Sequence, residues 1–271
     1  SDGSPVFLRC GINMKNQVFA VDAFAGKTAL ISGGTSGIGR AAAAIFLDAG
    51  AQVVLMGRDE ERGSEALHFL SGAERALFCA GDVRFSQDCR RAVEKTMACC
   101  GALDILVNAA GVYEEGAIDH IAPQELDALI DTNLKGTIYL TQAALPCLRQ
   151  THGNIVNIAS DAGLHGNYFC AAYAATKGAV IALTRSLALE TAHDGVRVNA
   201  VAPADVLTPL TEHQLCPHLS REDQLREMAS IYPLGRIGTA EEAAAVAVFL
   251  ASSAAAWITG SVYTVDGGLT A

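Results

Sequence analysis

Aromatic side chains are scarce in this chain: 6% of 271 residues, with a single tryptophan, against 51% hydrophobic residues. The apolar half is therefore Ala, Val, Leu and Ile, which suits packed helices and buried parallel strands better than a β-sandwich. Basic charge is also short, with 19 Lys and Arg against 29 Asp and Glu and a net charge of −10. That balance disfavours non-specific binding to nucleic acid or to anionic lipid. Like charges never run long enough to form a tail. Apolar runs are interrupted by polar residues well before the roughly 18 residues that a membrane span needs, so no membrane partner is expected. The eight cysteines (Cys10, Cys79, Cys89, Cys99, Cys100, Cys147, Cys170 and Cys216) include no CxxC pair. They read as reduced, mostly buried thiols of a cytoplasmic protein. His213 and His218 lack a matching carboxylate or thiolate spacing, so they read as surface residues and no metal site is expected.

What is present is an alternation of short β-branched runs with longer Ala-rich stretches. Strands are predicted at Thr28–Ser32, Gln52–Met56, Ala76–Cys79, Ile105–Asn108, Asn154–Ala159, Arg197–Val201 and Ser261–Val265. Helices are predicted at Gly39–Asp48, Gln87–Cys99, Pro123–Arg149, Ala172–Thr191 and Ala240–Ser252. Strands alternating with helices imply βαβ crossovers and a parallel sheet covered on both faces. The fold class is α/β, a Rossmann-like doubly wound parallel sheet of about seven strands. Residues 1–24 read as an N-terminal extension. Met14 is a candidate native start within it, and residues 1–13 are a candidate vector remnant. Residues 25–271 read as one domain. The irregular stretch 204–233 holds three of the seven prolines and reads as a helical lid.

Residues 32–39 read Ser32-Gly33-Gly34-Thr35-Ser36-Gly37-Ile38-Gly39, between a strand and a helix. Glycines there allow positive φ and close approach of the backbone to a pyrophosphate, while the helix start turns free N–H groups toward it. A dinucleotide cofactor is the expectation. The next strand ends at Met56-Gly57-Arg58. NAD-binding turns usually place an acid there for the ribose 2′-hydroxyl. Gly57 and Arg58 instead suit a 2′-phosphate, which a guanidinium can fork onto, so NADP(H) is preferred to NAD(H).

Tyr173-Ala174-Ala175-Thr176-Lys177 puts a phenol and an amine one turn apart on one helical face. A free tyrosine, with a pKa near ~10, is a poor base at neutral pH. A neighbouring ammonium favours the phenolate, so the pair can move a proton where neither residue alone would. Ser160 ends a predicted strand thirteen residues earlier. Asn108-Ala109-Ala110-Gly111 ends another, and Asn133 sits in Asp131-Thr132-Asn133-Leu134.

Together these motifs resemble the short-chain dehydrogenase/reductase family in its single-domain form. The resemblance runs from about Ala25 to Ala271 and includes Pro203 and the final Asp266-Gly267-Gly268. It implies Tyr173 as the acid/base, Ser160 as donor to the substrate oxygen, and Lys177 on the nicotinamide ribose, lowering the Tyr173 pKa. It implies Asn133 behind a proton-carrying water. Asp82 and Val83 would meet adenine, with Asp82 on its amino group. Asn108, Ala109 and Gly111 would line the ribose side, and Pro203, Val206 and Thr208 the nicotinamide and phosphates. A homotetramer is also implied. Two positions depart from the family pattern: Ser32 replaces the usual Thr, and Pro203-Ala204 replaces Pro-Gly, followed by Asp205. The last reads as a local helix cap, the alternative being a contact for a polyol or an amine.

The substrate wall is expected from Val112–His120, Asp161–Ala172 and Ala204–Tyr232. Leu164, Tyr168, Phe169, Leu207, Leu210, Leu215, Met228 and Ile231, with few charges and no Lys or Arg cluster, favour a small neutral or largely apolar alcohol or ketone: steroid-like, cyclic or polyol. The alternative is a 3-oxoacyl reductase acting on an acyl carrier protein. Such enzymes resemble this chain but place basic residues where Tyr139 and Asp194 stand. A non-catalytic NADP(H) sensor or scaffold is the alternative of another class. Such a relative would be expected to lack Tyr173 or Lys177.

Overall fold

The computed structural model describes residues 19–271. Cys10, Met14 and the 1–13 stretch lie outside them. Seven parallel strands form one sheet: β1 (Thr28–Ser32), β2 (Gln52–Gly57), β3 (Ala76–Ala80), β4 (Ile105–Asn108), β5 (Asn154–Ile158), β6 (Arg197–Pro203) and, after two short strands, β9 (Val262–Val265). Their order is β3-β2-β1-β4-β5-β6-β9. The chain winds outward from β1 in one direction and then, from β4, in the other. This leaves a crevice at the carboxyl ends of β1 and β4, where such folds take their ligands. β1, β4 and β5 are buried along their whole length, because helices cover both faces.

One face carries α1 (Gly37–Asp48) and α9 (Ala240–Ala251), packed over Phe46, Leu47, Ile31 and Leu55. The other carries α3 (Ser86–Cys100), α5 (Gly136–Thr151) and α6 (Ala171–Thr191) over Leu30, Leu106, Leu140 and Leu148. Alanine lets these helices approach closely: Ala243, Ala244 and Ala247 of α9 are fully buried against α1. Phe24, just before the boundary drawn at residue 25, is itself buried and stacks edge-on to Phe46 at 5.0 Å.

Several elements depart from the expected pattern. The helix expected at Pro123–Arg149 is α4 (Pro123–Leu129) and α5, joined by a π turn at Ile130–Lys135. Such turns widen the backbone at functional positions, and this one holds Asn133. The polar helix α2 (Glu60–Phe69) was not expected, because Gly63 lies inside it and only two of its residues are buried. Its start is fixed by Asp59, whose side chain accepts the Glu61 and Arg62 N–H groups. Gly63 is there because a Cβ would stand 2.5 Å from the Phe78 ring. The lid region 204–233 contains β7 (Val206–Leu207), α7 (Pro209–Glu212) and α8 (Arg221–Ala229). β7 pairs with β8 (Gly238–Thr239) in a second, two-stranded sheet.

Among the described residues the seven cysteines are all free, but only Cys79, Cys89 and Cys170 are buried. The expectation of mostly buried thiols is therefore corrected: Cys99 and Cys216 sit on outward helix and loop faces. His213 and His218 are exposed. No described helix is long and apolar enough to cross a membrane.

Candidate active site

The turn between β1 and α1 is set by backbone crowding. Gly33 has φ +64°, and a Cβ on it would stand 2.8 Å from Ala110 N. A Cβ on Gly39 would stand 2.4 Å from the Gly33 carbonyl oxygen. Neither position admits a side chain. Ser36 is the N-cap of α1, yet its side chain makes no cap bond. Ile38 packs on the core behind the turn, and the Thr208 methyl lies 3.3 Å from where a Cβ on Gly37 would stand. The result is a bare backbone cradle at a helix start, which fits a pyrophosphate. Ser32 Oγ accepts from both Ala109 N and Ala110 N at 3.2 Å, so this hydroxyl ties β1 to the loop after β4.

At the end of β2, a Cβ on Gly57 would stand 3.0 Å from the Thr35 methyl. Arg58 is exposed and, among the described residues, has no hydrogen bond or ion pair. Asp59, the neighbour that might have paired with it, serves α2 and Arg62 instead. Asp82 takes both guanidinium nitrogens of Arg84 on Oδ2, at 2.9 and 2.7 Å. Burial pushes the Asp82 carboxyl up, but the Arg84 bonds and charge outweigh it and hold the group below its ordinary value. Val83 is buried against Gly136.

β4 and β5 end side by side, and the Asn108 amide donates to Asn157 Oδ1 at 2.9 Å and to Thr141 at 3.1 Å. Beyond Asn108 the chain runs through Gly111 to Val112. Both backbone polar groups of Val112 bond the Asn133 amide, at 2.8 and 3.0 Å. Asn133 also donates to Thr176 of α6 at 3.2 Å. A Cβ on Gly111 would stand 3.4 Å from Asn133 Oδ1 and 3.6 Å from Lys177 Nζ. The π turn and α6 thus meet at Gly111.

Tyr173 and Lys177 are both buried. Lys177 Nζ donates to the Ile158 carbonyl at 2.9 Å and lies 5.8 Å from the Tyr173 ring centroid. Burial draws the Lys177 ammonium down to about 8. The expected lowering of the Tyr173 pKa is not found. Burial raises the phenol above its ordinary value, the Ser160 hydroxyl opposes this in part, and Asp161, Cys170 and Asp205 add to it. Desolvation of the phenolate outweighs any help from a lysine that is itself committed to a backbone carbonyl.

A cleft of about 310 Å³ adjoins these residues. All three expected wall segments line it, through Tyr113, Glu115, Asp161, Cys170, Leu215, Met228, Ile231 and Tyr232. Leu164, Phe169, Leu207 and Leu210 do not. The expectation of few charges is corrected as well: Glu115, Asp161, Asp205 and Glu227 all face the cleft, and among the described residues no Lys or Arg does. Asp205 is not a helix cap. Its Oδ2 accepts from the Tyr232 hydroxyl at 2.7 Å, and its backbone N–H donates to the Tyr232 hydroxyl oxygen at 3.1 Å. Burial raises its carboxyl, and the Tyr232 bond opposes that. Tyr113 lies edge-on to Tyr173 at 4.9 Å and bonds Cys170 Sγ and Glu115 Oε2, each at 3.0 Å. The Asp205–Tyr232 pair spans 27 positions, so no local pattern announces it. Asp161 opens the second expected wall segment and does line the cleft.

Known proteins agree with this architecture. The family model described as enoyl-(acyl carrier protein) reductase matches residues 33–270. The chain is 40% identical over 250 residues to the L-fucose dehydrogenase of Mus musculus, covering 92% of this chain and 90% of that protein. It is 37% identical to a 3-oxoacyl-acyl-carrier-protein reductase of Thermotoga maritima, covering 90% of this chain and 98% of that protein. Among solved structures, a short-chain dehydrogenase/reductase from Brucella melitensis described as a glucose/ribitol dehydrogenase superposes with a TM-score of 0.86 at 34% identity, covering 93% of this chain and 99% of that one. ElxO with NADP bound superposes with a TM-score of 0.83 at 34% identity, covering 90% and 98%. With this sheet order, this glycine turn and these relatives, the chain belongs to the short-chain dehydrogenase/reductase family, whose members are oxidoreductases that use a nicotinamide cofactor.

Proposed function

We propose that this protein is an NADP(H)-dependent oxidoreductase acting at a secondary alcohol or carbonyl carbon of a small, neutral, polyhydroxylated substrate, a sugar or polyol. The cleft carries the substrate reading. Its wall offers the carboxylates Glu115, Asp161 and Asp205 and the Tyr232 hydroxyl, and no cation. Carboxylates accept hydrogen bonds from hydroxyl groups, whereas a phosphate or carboxylate substrate would meet like charge and, among the described residues, no cation. The relatives named for L-fucose and for glucose and ribitol support the same branch over a steroid-like one. The absence of basic residues at Tyr139 and Asp194 weighs against a carrier-protein substrate.

The nicotinamide, when bound, gives or takes the hydride. Tyr173 gives or takes the proton of the substrate oxygen, and Ser160 donates to that oxygen as charge develops on it. Lys177 holds the ribose hydroxyls, and Asn133 fixes the Val112 backbone and the water path beside it. Gly33, Thr35, Ser36, Gly37, Ile38 and Gly39 form the phosphate turn. Asp82, Val83, Asn108, Ala109 and Gly111 line the adenine and ribose side, and Pro203, Val206 and Thr208 the nicotinamide end. Ser32 positions Ala109 and Ala110. Arg58, exposed and without a hydrogen bond or ion pair among the described residues, and Gly57, which leaves the end of β2 without an acid, favour the 2′-phosphate. The test is steady-state turnover of a sugar and polyol panel with NADP+ and with NAD+. The expected result is oxidation of a neutral sugar or polyol with NADP+. Turnover confined to a carrier-linked 3-oxoacyl substrate would overturn it.

A further inference from the structure

Ser160 Oγ donates to Asp161 Oδ1 at 2.9 Å and accepts from Ala162 N at 3.2 Å. A hydroxyl has one proton. While this bond stands, Ser160 has none to offer the oxygen of the reacting carbon or the Tyr173 phenolate, whose support by Ser160 draws on the same proton. Asp161 is 5% exposed, yet it lines the cleft. Its Oδ1 also accepts from Ala162 N at 2.8 Å, and its Oδ2 faces His165 Nε2 at 3.3 Å. His165 is fixed in turn by Nδ1 against the Gly166 carbonyl at 3.0 Å. The carboxylate is therefore held from behind. A carboxylate has about four acceptor positions, so capacity remains beyond the two bonds that Oδ1 accepts from Ser160 and Ala162.

We propose that Asp161 is a specificity-determining residue: it receives the hydroxyl on the carbon next to the reacting one, and this releases the Ser160 proton to the reacting oxygen. The preferred substrate is then a vicinal diol, or in the reverse direction the matching α-hydroxy carbonyl compound. The inference rests on the assignment of Ser160 and Tyr173 made above. Its logic is conservation of hydrogen bonds. The neighbouring hydroxyl replaces Ser160 as donor to Asp161 Oδ1, and Ser160 turns to the reacting oxygen. A mono-alcohol has no such replacement. With it, either Ser160 stays on Asp161 and the reacting oxygen lacks its donor, or a buried carboxylate loses a partner. Oxidation removes a hydride from the carbinol carbon to NADP+ and a proton from its oxygen to the phenolate form of Tyr173, which becomes the phenol. The neighbouring hydroxyl remains unchanged.

The test uses matched pairs with NADP+: L-fucose against 2-deoxy-L-fucose, and a vicinal cyclohexanediol against cyclohexanol. The wild-type protein is expected to favour the hydroxylated member in kcat/KM by about ten- to a hundredfold, the range for a hydrogen bond to a charged group. Asp161→Ala brings that ratio close to one. Asp161→Asn keeps an acceptor without the charge and lowers the ratio severalfold, which carries the test should the Ala variant fail to fold. Equal turnover of both members by the wild type, or a ratio unmoved in the variants, overturns the role of Asp161 while the oxidoreductase assignment stands. NADPH binding with no turnover of any member overturns the assignment and this inference with it.

Discussion

Lys177 directs its ammonium at the carbonyl of Ile158, 2.9 Å away at the end of β5, while Tyr173 lies one turn back along the same helix. The amine is thus pinned to the sheet. Its burial, with one backbone acceptor, draws its proton affinity down to about 8 from 10.5. The unfolded chain then binds more protons than the folded one between these values, so stability rises with pH across that window and is lost as pH falls toward 8. The melting temperature of Lys177→Met, measured from pH 7 to 10, is expected to lack this rise. A rise of equal size in both proteins would contradict the assignment of burial as its cause.

Tyr173→Phe keeps the ring that packs edge-on to Tyr113 and removes only the hydroxyl. Turnover is expected to fall by about a hundred- to ten-thousandfold. NADPH binding, followed by its fluorescence, should remain. Turnover close to wild type would remove Tyr173 from the acid/base role.

Burial also keeps the Tyr173 phenol protonated near neutrality, since its pKa is raised, so it stands in the form that donates a proton rather than the form that accepts one. Carbonyl reduction is therefore expected to proceed at pH 7, while alcohol oxidation gains rate as pH rises. Parallel pH profiles of the two directions check this. An oxidation rate that declines steadily from pH 7 to 9.5 would oppose it.

Arg58→Asp replaces the exposed guanidinium with the acid usual in NAD-binding turns. The ratio of NADPH to NADH affinity should fall by about tenfold or more, the scale of a charge-assisted bond. Calorimetric titration with both cofactors measures it, and an unmoved ratio would mean Arg58 is only a solvated surface residue.

Gly39→Ala would press a methyl group into the Gly33 carbonyl, a backbone atom 2.4 Å from the new carbon. Overpacking of that kind costs about 1–3 kcal/mol. Cofactor affinity should fall together with stability, because the same turn cradles the pyrophosphate. Urea unfolding with and without NADPH separates the two effects.

The seven sheet strands, the glycine turn and the Ser160, Tyr173 and Lys177 set are legible in the sequence because each is local. Near-continuous apolar runs mark buried strands, glycines mark crowding, and a spacing of four marks a helical face. Helix α2 escapes that logic: only Gly63 and Ala66 are buried, too few to draw an apolar stripe, and Gly63 answers to Phe78, a contact between elements. The π turn at Asn133 escapes it too, since a single inserted residue leaves the helical pattern nearly intact. The character of the cleft is least legible. Glu115, Asp161 and Asp205 lie far apart in the chain, and each alone passes for a surface or capping acid. Only their convergence beside Tyr173 gives the cleft its sign.

The measurement that bears most directly on the account is the NADP+-linked oxidation of a neutral sugar and polyol panel, read at the nicotinamide absorbance, by the wild-type protein and by Tyr173→Phe. The account predicts reduced cofactor accumulating with at least one neutral polyhydroxy compound in the wild type, and that rate collapsing in the variant. NADPH binding without turnover across the panel, or equal rates in the two proteins, would contradict it.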